Sequence, residues 1–149
     1  MTTTKPTPIL NRKRRGEVAE AAFLHKAASL GFRIGKTWGE SDPYDFLVDT
    51  GGRVLRVQVK SAYAAGEYGG YTFHAHGNTR TDVYTSRDID FLVAYIVPEN
   101  LWYVLPVEIF ARTSAAKIFP ASRRRMSRFE KYREAWSLMT EEGQSDVPS

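Results

Sequence analysis

The sequence contains no cysteine, and this absence excludes disulfide bonds and every metal site that depends on a thiolate. The first residues, MTTTKPTPILNRKRRGE, also lack an apolar run long enough for a signal peptide or a membrane span, since only Ile9 and Leu10 are adjacent apolar residues. We therefore expect no membrane partner and an intracellular, cytoplasmic location.

The chain has only a small excess of one charge, +4 with a pI near 9.4. This excess permits an acidic partner such as nucleic acid but does not establish one. With 149 residues, 42% of them hydrophobic, the composition is typical of one globular domain. We expect that domain at residues 13–139, between a disordered basic arm at 1–12 and a disordered tail at 140–149.

Hydrophobic patterning predicts an α/β (α+β) fold, a mixed sheet flanked by helices. The first helix should run from Arg15 to Leu30 and end at Gly31. Its predicted buried stripe comprises Val18, Ala21, Ala22, Phe23, Leu24, Ala27 and Ala28. Strands are predicted at Phe32–Thr37, Tyr71–Ala75, Phe91–Val97 and Leu101–Leu105, a loop at His76–Asp90, a helical turn at Pro106–Ala111 and a final helix at Met126–Met139.

The stretch from Ser41 to Ala62 predicts a β-hairpin that turns at Gly51-Gly52. Asp45 opens its first strand. Gln58 and Lys60 lie two residues apart on the second strand, so both side chains point to the same face.

These polar residues suggest a metal-dependent phosphodiesterase site. A carboxylate from Asp45 and the amide oxygen of Gln58 are suitable ligands for a hard cation such as Mg²⁺, and Lys60 is a suitable partner for the attacking water. A second carboxylate would come from the first helix, Glu20 by preference. The alternative is an ordinary solvated face of a sheet, on which such residues are common; spacing alone favours that reading.

The same residues resemble the Asp…(Glu/Gln)-x-Lys signature of the PD-(D/E)XK nuclease superfamily. TyrAspPheLeuValAsp followed by ArgValGlnValLysSer is similar to the branch associated with group I introns, the homing-endonuclease-like proteins. Further segments extend the resemblance over about residues 13–139. They are Arg15–Glu20, with Glu20 four residues after Gly16, the strand pair in Phe91–Val107, and Tyr132–Trp136, which resembles the terminal helix.

The resemblance implies a DNA endonuclease in which Glu20, Asp45 and Gln58 hold Mg²⁺, or Mn²⁺ in its place, and Lys60 assists catalysis. Gln58 replaces the superfamily's commoner glutamate, although glutamine is usual in the intron-associated branch. Glu17 is the rival helix carboxylate. The implied partners are double-stranded DNA and further copies of the chain, as a homodimer or homotetramer, with a nucleoid-associated location. Three alternatives remain open: a Holliday-junction resolvase, a restriction or repair nuclease, and a DNA-binding module without cleavage.

Basic and polar residues outside the hairpin are candidates for DNA contact. They are Arg12, Lys13, Arg14 and Arg15, then Tyr68, His74, His76, Asn78 and Arg80, and finally Arg123, Arg124 and Arg125. Charge runs are more often simply solvated. His74 and His76 also permit a zinc site, but no third ligand with suitable spacing follows them, so packing or DNA contact is favoured.

Overall fold

The computed structural model describes residues 10–39, 41–77, 83–120 and 128–140. Its helices are α1 (Arg12–Ser29) and α2 (Ser137–Thr140). Its strands are β1 (Arg33–Lys36), β2 (Phe46–Asp49), β3 (Val54–Ala62), β4 (Tyr71–His74), β5 (Phe91–Ile96), β6 (Leu101–Pro106) and β7 (Ala115–Ile118). Short 3₁₀ helices at Glu67–Gly69, Val97–Glu99, Val107–Ala111 and Glu130–Tyr132 join them.

The central sheet has five strands in the order β1-β2-β3-β5-β6. β3 and β5 run parallel, and the other neighbouring strands run antiparallel. This mixed sheet confirms the predicted fold class. β4 and β7 form a separate antiparallel pair. The sequence pattern does not predict this pair, because it indicates no strand at Ala115–Ile118.

A hydrophobic layer lies on each face of the central sheet. On one face α1 packs Phe23 against Phe46, with ring centroids 5.3 Å apart, and against Trp102 and Trp136. On the other face Phe73 of β4 belongs to a cluster with buried residues of β5 and β6. The sheet is therefore flanked by a helix on one side and by a second small sheet on the other.

Helix α1 begins at Arg12 rather than Arg15, because the Asn11 side chain caps it by accepting a hydrogen bond of 2.8 Å from the Arg14 N–H. The predicted buried stripe was too broad. Ala19, Phe23 and Ala27, spaced four residues apart, are buried, whereas Val18 and Leu24 are 38% and 41% exposed. Ala22 is partly buried against the same cluster.

The predicted final helix is wrong in the described residues 128–136. Glu134 adopts a left-handed conformation with φ of 48°, which interrupts a right-handed helix. Its N–H donates to the Trp102 carbonyl at 2.8 Å, and Arg133 forms a β-bridge with Tyr103. The segment thus covers β6, and only Ser137–Thr140 is α-helical.

The predicted arm at 1–12 is ordered from Leu10, while residues 1–9 and the tail from 141 lie outside the described residues. Within the described part of the chain, no helix is both long and apolar enough to cross a membrane.

Candidate active site

Asp45 stands where β2 begins, against the middle of β3. Its N–H donates to the Val57 carbonyl at 2.9 Å, and its carboxylate Oδ2 accepts a hydrogen bond of 2.8 Å from the Val59 N–H. The Asp45 carboxylate thus bonds the β3 backbone in the way that a carbonyl group of a neighbouring strand would. Because Phe46 pairs with Val57, extending the register by one residue puts Asp45 opposite Gln58.

Gln58 and Lys60 lie on one face of β3, as their spacing predicts, and the strand register puts Asp45 on the same face of the sheet. The Gln58 side chain donates from Nε2 to the Tyr84 hydroxyl at 3.5 Å, while its carbonyl oxygen Oε1 is buried and has no hydrogen-bond partner. Lys60 Nζ donates to the His76 carbonyl at 3.1 Å. The three side chains are half-buried at one place in the sheet, which is unlike a solvated strand face.

Glu20 approaches this place from α1, on the other side of the sheet. Its Oε1 accepts a hydrogen bond of 2.7 Å from Lys36 Nζ, and Lys36 lies opposite Phe46, next to Asp45. Glu17 instead pairs with Arg14 at 3.2 Å on the exposed side of the helix. Of the two rival carboxylates, Glu20 is the one whose charge acts on Asp45.

Burial shifts the side chains of Asp45 and Lys60 toward their neutral forms. It raises the pKa of Asp45 above the ordinary 3.8, and the charge of Glu20 adds to the rise; the Val59 hydrogen bond, Lys36 and Lys60 oppose it. Burial lowers the pKa of Lys60 from the ordinary 10.5, against the opposing charge of Asp45. Perturbations of this kind in partly enclosed polar clusters are typical of functional sites.

The donors at this site fit a hard divalent cation. Two carboxylates, from Asp45 and Glu20, and one unpartnered amide oxygen, from Gln58, are oxygen ligands of the kind that Mg²⁺ takes. No group of three or more His, Cys, Asp or Glu side chains with the arrangement of a metal site occurs in the described ranges. The ligand roles themselves remain predictions.

Two residues near the site were not identified from the sequence. Lys36 neutralises Glu20, and Tyr84 contacts Gln58 across a separation of 26 residues. A strand lysine and a loop tyrosine carry no pattern that marks them in advance. Lys36 reaches the site because β1 pairs with β2. Tyr84 reaches it because the chain returns at the β-bridge between His76 and Val83.

The structure describes two groups of the residues that are predicted to contact DNA. Arg12–Arg15 form the exposed first turn of α1. Tyr68 is 92% exposed, and the rings of His74, the last residue of β4, and His76 lie 5.2 Å apart. Asn78, Arg80, Arg123, Arg124 and Arg125 lie outside the described residues.

A cleft of about 830 Å³ begins where β3 continues past Lys60. Ser61 and Tyr63 line it together with Arg15 and Lys117, and the Arg15 guanidinium lies over the Tyr63 ring, 5.0 Å from its centroid. Arg15 of the first turn of α1 and the last residues of β3 thus border the same cleft.

The chain is similar to a protein family and to solved structures. A sequence profile of the PD-(D/E)XK endonuclease family matches residues 10–139. The solved structure of the bacterial homing endonuclease I-Ssp6803I is similar, with 32% identity, a TM-score of 0.78, and coverage of 93% of this chain and 99% of that one. Hjc, a Holliday junction resolvase of the archaeal hyperthermophile Archaeoglobus fulgidus, shows 16% identity and a TM-score of 0.47 over 70% of this chain and 84% of its own. No curated protein matches. With its mixed sheet, its Asp45 and Gln58-x-Lys60 arrangement and a profile match over nearly the whole described chain, the protein belongs to the PD-(D/E)XK endonuclease family.

Proposed function

We propose that the protein is a metal-dependent endonuclease of homing type that hydrolyses phosphodiester bonds in double-stranded DNA. The observation that carries this proposal is the convergence of Asp45, Gln58 and Lys60 at one place, with the Gln58 carbonyl oxygen buried and unpartnered. Buried polar atoms without partners are rare in folded proteins, and an oxygen of this kind calls for a ligand. The likeness to a bacterial homing endonuclease at 32% identity supports the same assignment.

Mg²⁺, or Mn²⁺ in its place, would be held by Asp45, Gln58 and Glu20. When bound, the cation would neutralise charge on the scissile phosphate and make water more acidic. In its absence Lys36 already balances the charge of Glu20, so the site does not hold two uncompensated carboxylates. Lys36 therefore competes with the cation for Glu20, and a neutral amide in place of a third carboxylate limits the total charge that the site offers.

Lys60 is the residue that we assign to proton transfer and charge stabilisation. Burial lowers the pKa of its ammonium group, so Nζ exchanges a proton with the attacking water more readily than an exposed lysine would. The hydrogen bond to the His76 carbonyl holds Nζ in place on the Asp45 side of β3. A protonated Nζ at this position would also stabilise the negative charge that develops on the phosphate.

The first turn of α1 supports DNA as the substrate. Four consecutive cations, Arg12 to Arg15, stand at the positive end of the helix dipole, and the first turn has no acidic residue. Such an arrangement opposes helix stability, by roughly 0.3–1 kcal/mol for each charge in the first turn. A polyanion bound across this turn would reverse that cost, and the cleft lined by Arg15 and Lys117 extends from it to β3.

We infer that the working enzyme is a homodimer or homotetramer. One site of this kind cuts one strand, so cleavage of a duplex requires at least two copies of the chain.

A plasmid cleavage assay tests the proposal. Wild-type protein with Mg²⁺ should convert supercoiled plasmid to nicked and linear forms, and EDTA should stop the reaction. Lys60→Met should cleave at least about a hundredfold more slowly, the usual magnitude for loss of a proton-transfer group. Lys26→Met is the matched control, because Lys26 is also a partly buried, paired lysine but contacts Glu134 rather than the site.

Two outcomes would contradict the proposal in different ways. If wild type and Lys60→Met leave plasmid, long linear duplex and four-way junctions equally intact, the protein is a DNA-binding module at most. If both Lys60→Met and Asp45→Asn still cleave, the activity lies elsewhere. A strong preference for four-way junctions over linear duplex would identify a resolvase instead.

A further inference from the structure

The Gln58 amide has two chemically different ends, and only one of them can bind a cation. Its Nε2 faces the Tyr84 hydroxyl at 3.5 Å, and its Oε1 is buried with no partner. When Oε1 takes a cation, Nε2 is left in a partly buried position with two N–H donors to satisfy. In the described structure the Tyr84 oxygen is the acceptor that stands in front of it.

The position of the Tyr84 hydroxyl is determined by the backbone around it. The backbone N–H of Tyr84 donates to the Ala75 carbonyl at 2.7 Å, and the adjacent Val83 forms a β-bridge with His76. The hydroxyl lies directly over Gly77, where a Cβ atom would be only 2.7 Å from the oxygen. A larger residue at position 77 would therefore displace the hydroxyl from its place beside Gln58.

The segment that follows Tyr84 is fixed to the same strand as Gln58. The Arg56 guanidinium donates to the Ser86 and Arg87 carbonyls, each at 2.7 Å, and pairs with Asp90. Arg56 lies two residues before Gln58 on β3, so the tyrosine and the glutamine are held against one rigid element.

We propose that Tyr84 is a positioning residue that stabilises the orientation of Gln58 in which Oε1 faces the cation. The inference rests on the proposed function, since it assigns a role at the same metal site. A glutamate at position 58 would need no such partner, because its two oxygens are equivalent and neither is a donor. The Tyr84 hydroxyl therefore supplies the acceptor that is needed because residue 58 is a glutamine and not a glutamate.

Direct binding of Mn²⁺ to the DNA-free protein, followed by electron paramagnetic resonance, tests this role. Tyr84→Phe keeps the ring and removes the hydroxyl, and should weaken Mn²⁺ binding by about tenfold, the lower end of what loss of a partner behind a metal ligand costs. In cleavage assays the metal concentration for half-maximal rate should rise by a similar factor, with little change in rate at saturating metal. Tyr95→Phe is the matched control, since its hydroxyl also bonds an amide side chain, that of Asn100, away from the site.

The decisive comparison repeats Tyr84→Phe in a Gln58→Glu background. There the substitution should cause no loss of Mn²⁺ affinity, whereas a merely structural role would cause the same loss in both backgrounds. Gly77→Ala, which displaces the hydroxyl without removing it, should behave like Tyr84→Phe in both. Unchanged affinity in Tyr84→Phe, or equal losses in both backgrounds, would overturn the role of Tyr84 alone. A wild-type protein that binds no Mn²⁺ would overturn the proposed metal site itself.

Discussion

Replacing Asp90 by alanine should destabilise the protein, because this carboxylate joins β3 to the segment that leads into β5. The Asp90 carboxylate accepts three hydrogen bonds from Arg56, at 2.7 Å from the backbone N, 3.2 Å from Nε and 3.1 Å from Nη2. Its backbone N–H also donates to the Arg56 carbonyl at 2.8 Å. Asp90 therefore extends the pairing of β3 with β5 beyond Val57 and Phe91, where the strand ladder ends.

The magnitude follows from these contacts. Hydrogen bonds to charged groups contribute roughly 1.5–3 kcal/mol each. The Arg56 and Asp90 side chains are 30% and 29% exposed, so water replaces part of that loss. Arg56 also keeps its bonds to two carbonyl groups. We expect Asp90→Ala to lower the free energy of unfolding by about 2 kcal/mol, which corresponds to a fall in Tm of roughly 6–8 °C for a domain of this size.

Urea unfolding followed by circular dichroism, in EDTA, measures the effect. Asp49→Ala is the control, because its carboxylate accepts a local hydrogen bond from the Gly51 N–H and should cost only about 0.5–1 kcal/mol. If Asp90→Ala loses no more stability than Asp49→Ala, the Arg56–Asp90 pair does not hold β3 to the segment before β5.

Two further outcomes follow from the site. Because burial raises the pKa of Asp45 in the folded protein, its ionisation opposes folding at neutral pH, while asparagine could still accept the Val59 hydrogen bond. Asp45→Asn without metal should therefore be more stable by about 1 kcal/mol at pH 7. The gain should disappear as pH falls through the raised pKa to below 3.8; a less stable Asn variant at pH 7 would contradict this. Trp38 is 97% exposed and lies in the loop that leads to Asp45, whereas Trp102 and Trp136 are 4% and 7% exposed. Duplex DNA that binds at the proposed site in Ca²⁺ should therefore shield Trp38 emission from acrylamide. Unchanged quenching would mean that DNA does not cover this loop.

The hairpin could be predicted from sequence because three local signals agree there. Phe46 and Val48 alternate with polar neighbours, Gly51 and Gly52 supply the turn, and Leu55 and Val57 return on the core face. The same alternation placed Gln58 and Lys60 on one face. Residues whose position depends on a single strand pair are therefore accessible to pattern reasoning.

The errors occur where tertiary contacts override local preference. The segment 128–136 reads as helical, yet Glu134 accepts hydrogen bonds from the Trp102 N–H and the Trp136 indole and follows the edge of β6 instead. Ala115–Ile118 contains two alanines, which favour helix, but pairs with β4 as a strand. The contributions of Lys36 and Tyr84 depend on long-range packing and are not encoded in any local pattern.

A crystal structure grown with Mn²⁺ and measured at a wavelength that reveals manganese would determine whether this site binds the catalytic cation. We predict one anomalous peak, coordinated by the carboxylates of Asp45 and Glu20 and by Oε1 of Gln58, with Nε2 of Gln58 still facing Tyr84. A peak bound elsewhere, or none at a concentration that supports cleavage, would contradict the assignment of this cluster as the active site.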